Sequence, residues 1–178
     1  LIFILTSCST KPEYHIQGSF NADFEGIVFL KKQVGYAYEV IDSVLVKENT
    51  FDFKGSVEFP DIYGLSLSGQ KETQLLCLEN TDYQIEIGES VKNSNISGGN
   101  YQSLMTDFEK DMGELDLGER ELIKVIWRTE STTQAEKDSL YPLLENLRQN
   151  KKELADSYII NNPGSPHALR VLNIYRRN

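Results

Sequence analysis

The hydrophobic spacing of this chain changes once, at Gly98-Gly99. Before that pair, apolar residues tend to recur at every second position; after it they recur at intervals of three and four. A period of two suits strands with one buried face, and a period near 3.6 suits helices with one buried stripe. The expected fold is therefore α+β: an N-terminal antiparallel β-sandwich or partial barrel, read as a meander, followed by a C-terminal helical segment. The division is 1–8 as a leader remnant, 9–98 as the β domain and 99–178 as the helical part.

The clearest strand is Phe51-Asp52-Phe53-Lys54-Gly55-Ser56-Val57, with Phe51, Phe53 and Val57 on one face and Asp52, Lys54 and Ser56 on the other. Tyr14–Phe20, Gly26–Leu30, Tyr38–Val46, Ile62–Leu67, Thr73–Leu78 and Tyr83–Ile87 supply further strands, and 95–98 a short closing one. Turn residues separate them. Lys47-Glu48-Asn49 makes a tight turn, since Asn tolerates positive φ, and Asn80-Thr81-Asp82 makes a hairpin turn. Connections this short imply antiparallel neighbours.

Beyond the switch, Asn100 is an expected N-cap, and Tyr101, Leu104, Met105, Phe108 and Met112 keep helical phase. Gly113 is expected to weaken that helix. Glu119–Arg128 then reads as a second piece, with Leu122, Ile123, Ile126 and Trp127 on one side. Thr133-x-x-Glu136 fits a capping box ahead of Leu140, Leu143, Leu144, Leu147, Leu154, Ala155, Tyr158 and Ile159. Asn162-Pro163-Gly164 ends this helix. Ser165-Pro166 starts another, with Ala168, Leu169, Leu172 and Tyr175 as its apolar face.

The first eight residues are Leu1-Ile2-Phe3-Ile4-Leu5-Thr6-Ser7-Cys8. An apolar run this short does not span a bilayer, which takes roughly 20 residues; it reads as the tail of a signal peptide. Leu5-Thr6-Ser7-Cys8 resembles a bacterial lipobox. Small side chains let an extended backbone enter the peptidase cleft, and the Cys8 thiol takes the diacylglyceryl group. Each buried methylene then adds about 0.8 kcal/mol, so two or three chains anchor stably. Cys8 is thus the expected lipidation site. Ser9-Thr10-Lys11-Pro12 is a polar tether, and with Ser9 rather than Asp after the anchor, the expected location is the outer membrane, facing the periplasm.

Net charge is −9, from 18 basic and 27 acidic side chains. Residues 9–98 carry 14 acids against 7 bases, and 99–178 carry 13 against 11. An acidic surface repels phosphate backbones, so nucleic acid is not an expected partner. The sequence has no CxxC, and its histidines, His15 and His167, stand far apart without metal-ligand or triad spacing. Asp42-Ser43 is the most tempting polar pair, yet a serine nucleophile needs a base within reach; local backbone bonding at a strand bend is the preferred reading. Cys77, between Leu76 and Leu78, reads as a buried, inert thiol. Glu79, Asp82, Glu86 and Glu89 lack calcium-loop spacing and read as a solvated acidic edge. No residue is assigned as catalytic, cofactor-binding or metal-ligating, and no cofactor is expected.

The residues Ile16-x-Gly18, Ile41-Asp42-Ser43, Phe51-x-Phe53-x-Gly55-x-Val57-x-x-Pro60-x-x-Tyr63, Leu78-Glu79-Asn80, Ile85-Glu86-Ile87 and Ile96-Ser97-Gly98 together resemble a known arrangement. It is the N-terminal β domain of unknown function in Bacteroidetes-type envelope lipoproteins. There a helical linker follows, similar to Tyr158–Ser165 here, and then a thioredoxin-like domain of the peroxiredoxin or TlpA/ResA type. The resemblance implies a membrane-anchored, non-catalytic periplasmic module that positions or docks a redox domain or an envelope protein. This chain departs from the pattern in having no CxxC domain, so the relatives' oxidoreductase chemistry is carried over to no residue. Two other readings stand beside it. One is a sandwich that binds a ligand, glycan or peptide, and the other is a fragment of a thiol-disulfide oxidoreductase.

Overall fold

The computed structural model describes residues 12–35, 37–128 and 133–175. Cys8 and the lipobox lie outside the described residues. The chain divides into two compact units, with the boundary between Gln102 and Ser103.

The first unit contains β1 (Tyr14–Phe20), β2 (Ile27–Val34), β3 (Ala37–Leu45), β4 (Thr50–Gly55), β5 (Asp61–Leu67), β6 (Gln74–Leu78), β7 (Asp82–Ile87), a 3-10 turn at Val91–Asn93 and β8 (Asn95–Ser97). They form two four-stranded sheets, ordered β4-β1-β7-β8 and β3-β2-β5-β6. Both sheets feed one apolar core. Ile16, Phe53, Tyr83, Ile85 and Ile87 enter from the first, and Val28, Leu30, Leu65, Leu76 and Leu78 from the second. This is the sandwich the two-residue period implies.

The meander holds only locally. β2-β3, β5-β6 and β7-β8 are antiparallel neighbours, whereas β1 pairs antiparallel with β4 and parallel with β7. A parallel partner cannot be reached through a short turn. Here the chain visits the second sheet between β1 and β7, and turn length alone does not reveal that. Gly18 is the residue that lets β1 fit: a Cβ there would lie 1.9 Å from the Phe51 ring, which fills the space over its backbone.

The helical unit is built on α1 (Asn100–Arg128), α2 (Gln134–Asn161) and α3 (Pro166–Tyr175). α1 starts in the first unit, where the Tyr101 N–H donates to a Glu79 carboxylate oxygen at 3.0 Å and the Gln102 Oε1 accepts from the Cys77 N–H at 2.8 Å. The expected break at Gly113 does not occur; α1 is one helix of 29 residues. A glycine inside a helix costs only about 1 kcal/mol, which packing overrides. α2 likewise continues through Pro142.

Contacts with α2 fasten the middle of α1. Glu119 accepts from Arg148 Nε at 2.9 Å and from Lys151 Nζ at 2.7 Å, and Lys151 also reaches Asp116 at 2.6 Å. Hydrogen bonds from Lys151 and then Arg148 hold the Glu119 carboxyl below the usual range. The capping box forms as expected. Glu136 N–H donates to Thr133 Oγ1 at 3.3 Å, and Thr133 N–H donates to the Glu136 carboxylate at 2.8 Å.

Candidate docking surface

β4 obeys its period: Phe51 and Phe53 are buried, while Thr50, Asp52 and Lys54 are exposed. β3 does not. Eight of its nine residues are exposed and only Val44 is half-buried. Tyr38 (42%), Val40 (53%), Ile41 (51%) and Leu45 (60%) are all open, as is Val34 at the end of β2 (49%).

Register explains where these side chains point. Cross-strand partners share a face. Val28 and Leu30 face the core, opposite Val44 and Asp42; the outer face therefore carries the pairs Ile27–Leu45, Phe29–Ser43, Lys31–Val40 and Gln33–Tyr38. β5 pairs with β2 only from Val28 to Lys32, so beyond Lys32 the β2–β3 ribbon stands without a third strand. Lys31 lies with its ammonium 5.5 Å from the Phe29 ring centre on this outer face. On the inner side Lys32 bonds Asp61 at 2.9 Å, which holds its ammonium above the usual lysine range.

The backbone edge of β3 is less open than its side chains. The register shifts at Leu30/Lys31, leaving Ile41 as an extra residue, and Asp42 Oδ1 accepts the Ser43 N–H at 2.7 Å. A bulge and an occupied edge N–H both discourage addition of a further strand. At the other end, Lys47 and Thr50 exchange backbone hydrogen bonds across the turn into β4. The ribbon therefore offers an apolar side-chain face rather than a free ladder. This arrangement also gives Asp42-Ser43 the local backbone role expected of it. The polar contacts of the two histidines lie elsewhere: His15 pairs with Asp52, and His167 with Tyr158 and Glu109.

Beside the β3–β4 turn lies a concavity of about 530 Å³, whose lining includes Val44, Leu45, Phe51, Gln17, Asp52 and Gln84. The turn itself places Glu48 (φ 51°) and Asn49 (φ 57°) in the left-handed region. Asn49 is tied down, accepting from Phe24 N–H at 3.0 Å and donating to Asp23 at 2.8 Å. Glu48 has no such excuse, and a long side chain there is strained.

Cys77 is buried, as expected, with its N–H capped by Gln102. Of the acidic group, Glu79 caps α1 instead of facing only water. Its neighbour Tyr83 is buried, which pushes its phenol above the ordinary range, and donates to the Cys77 carbonyl at 3.0 Å. Three apolar assignments fail: Trp127 is 54% exposed, Leu143 53% and Leu169 57%, each on a face read as buried. Among the described residues, no group of three or more His, Cys, Asp or Glu is placed to hold a metal ion. No described helix is long and apolar enough to cross a membrane.

Sequence reasoning missed the ribbon because β3 has the same apolar content as a buried strand. The available signal was its lack of alternation: Val40-Ile41 and Val44-Leu45 place apolar residues on both faces at once.

Neither the curated proteins nor the solved structures include a match to this chain. A family model does match, over residues 14–105, from the first residue of β1 into the start of α1. That span is just over half of the chain, and the chain belongs to this family, described as a domain of unknown function, DUF4369.

Proposed function

We propose that the chain is a lipid-anchored, non-catalytic docking module of the bacterial cell envelope. Cys8 carries the anchor, the β unit faces the periplasm, and the outer face of the β2–β3 ribbon receives a thioredoxin-like domain or another envelope protein. The observation that carries the docking half is the outer face of the ribbon, where Tyr38, Val40 and Leu45 are exposed, with Ile41 open at the bulge beside them. Several exposed apolar side chains on one strand of an otherwise acidic surface suit a protein interface. The anchoring half rests on the Leu5–Cys8 pattern.

The test uses the full chain expressed in cells with a photo-reactive group at Val40 or, for comparison, at Lys54 on the polar face. A discrete cross-linked protein from Val40 and none from Lys54 is expected. Equal or absent products at both positions would sink the docking reading. Acyl labelling that disappears in Cys8→Ala is expected for the anchor; label retained in that variant would remove it.

A second reading, a ligand-, glycan- or peptide-binding sandwich, draws on the concavity beside the β3–β4 turn. Its volume of about 530 Å³ falls within the range of small-molecule sites, and amide, carboxylate and apolar groups converge there. Saturable binding from a panel of oligosaccharides and peptides, lost in Gln17→Ala/Gln84→Ala, would favour it over docking.

A further inference from the structure

α3 is ten residues long, too short to persist as a helix in water by itself. What holds it is a small apolar cluster: Ala168 and Val171 of α3 are buried with Phe108 of α1 and Ala155 and Tyr158 of α2. At the centre sits an ionisable ring. His167 is 4% exposed. Its Nδ1 lies 3.1 Å from the Tyr158 hydroxyl, and its Nε2 lies 3.7 Å from Glu109 Oε1. Phe108 and Tyr158 both meet its ring edge-on at 5.6 Å.

We propose that His167 is a proton-operated latch: neutral, it holds α3 against α1 and α2, and charged, it releases α3 and uncovers the Phe108–Tyr158 ring pair. The geometry favours the neutral ring. The Tyr158 hydroxyl can donate to a bare Nδ1 or accept from a protonated one, so the enclosure of the ring decides its charge. An imidazolium in this position would lie between two aromatic rings with little water.

The facing charges do not rescue it. Arg170, on α3, has the same sign. Among the described residues Glu109, on α1, is the facing carboxylate, and burial raises its pKa, which makes it a weaker counter-ion as the pH falls. Tyr158, on α2, contributes a neutral hydroxyl. Burial first and Arg170 second push the His167 imidazole down to about 4 from an ordinary value of 6.5.

The released helix therefore binds a proton that the docked helix refuses. His167 leaves docking untouched above about pH 6.5 and weakens it as pH falls toward 4, by at most about tenfold per pH unit for one proton. Glu109, whose pKa is raised, acts in the opposite direction and softens the transition. Replacing it with glutamine should steepen the release.

The test is amide exchange on the intact chain from pH 7 to pH 4, expressed as protection relative to intrinsic rates. Trp127, the only tryptophan, reports the hairpin of α1 and α2 through its emission. α3 protection is expected to fall below pH 6, by up to tenfold per unit, while β4 protection and Trp127 emission stay constant. His167→Phe, which keeps a ring without the titrating nitrogen, should hold protection flat. Flat protection in the native protein, or an equal fall in His167→Phe, overturns the latch. If His167→Phe fails to dock α3 at neutral pH, the native ring decides. Its magnetic resonance titration should come below pH 5. An ordinary titration near 6.5 with α3 still protected overturns the proposal.

Discussion

β3 and β4 follow one another in the chain, are joined by a tight turn, and each forms the edge of its sheet. They are nevertheless built on opposite rules. β4 buries two phenylalanines and turns Thr50, Asp52 and Lys54 outward; β3 exposes apolar side chains on both faces. β4 is held by its side chains. β3 is held mainly by its ladder to β2, and its side chains are left for something else. An edge strand can therefore be part of the core or part of the surface within one sandwich, and apolar content does not distinguish the two.

The sharpest way to break this contrast is Phe53→Ala. Phe53 is fully buried and stacks edge-on with Phe51 at 5.9 Å, so the truncation should cost about 3–5 kcal/mol in urea unfolding. Gly18→Ala comes next. Its Cβ would strike the Phe51 ring, and rearranging that ring should cost about 1–3 kcal/mol by the same measurement. The turn between the two strands gives a smaller effect of opposite sign. Glu48→Asn, which suits the left-handed backbone better, should stabilise by about 0.5–1 kcal/mol in thermal unfolding. The smallest effect is predicted for the ribbon: Val40→Ser should change stability by less than about 0.5 kcal/mol while reducing partner capture. A cost above 1 kcal/mol at Val40 would erase the difference between the strands.

What could be read in the sequence was what is decided locally. The alternation of Phe51 and Phe53, the Thr133-x-x-Glu136 box and the change of period at Gly98-Gly99 are all short-range signals, and each reappears in the structure; Asn80–Asp82, read as a hairpin turn, instead carries the chain from β6 in one sheet to β7 in the other, because β7 finds its partners in β1 and β8. Gly98 and Gly99 both adopt positive φ, the conformation that makes a glycine pair suited to that change. What could not be read depends on distant partners. β1 selects β4 and β7 across the sandwich, and no local pattern encodes that choice. Gly113 looks like a break, yet cross-helix contacts such as Glu119 with Arg148 and Lys151 keep α1 running. The exposure of β3 was hidden because an exposed apolar strand has the composition of one facing a core. His167 was visible only as a histidine out of place; its neighbours arrive from three helices.

The position of β1 has a mechanical consequence. It lies between two strands, paired over six positions on each side. A pull on the N-terminus, along the strand, loads both ladders at once in shear instead of peeling them apart bond by bond. To yield, β1 must slip by two residues before its apolar side chains can find the core face again. Any tension applied ahead of Tyr14 would meet one of the most extensively paired strands of the unit first, while the β2–β3 ribbon lies in the other sheet.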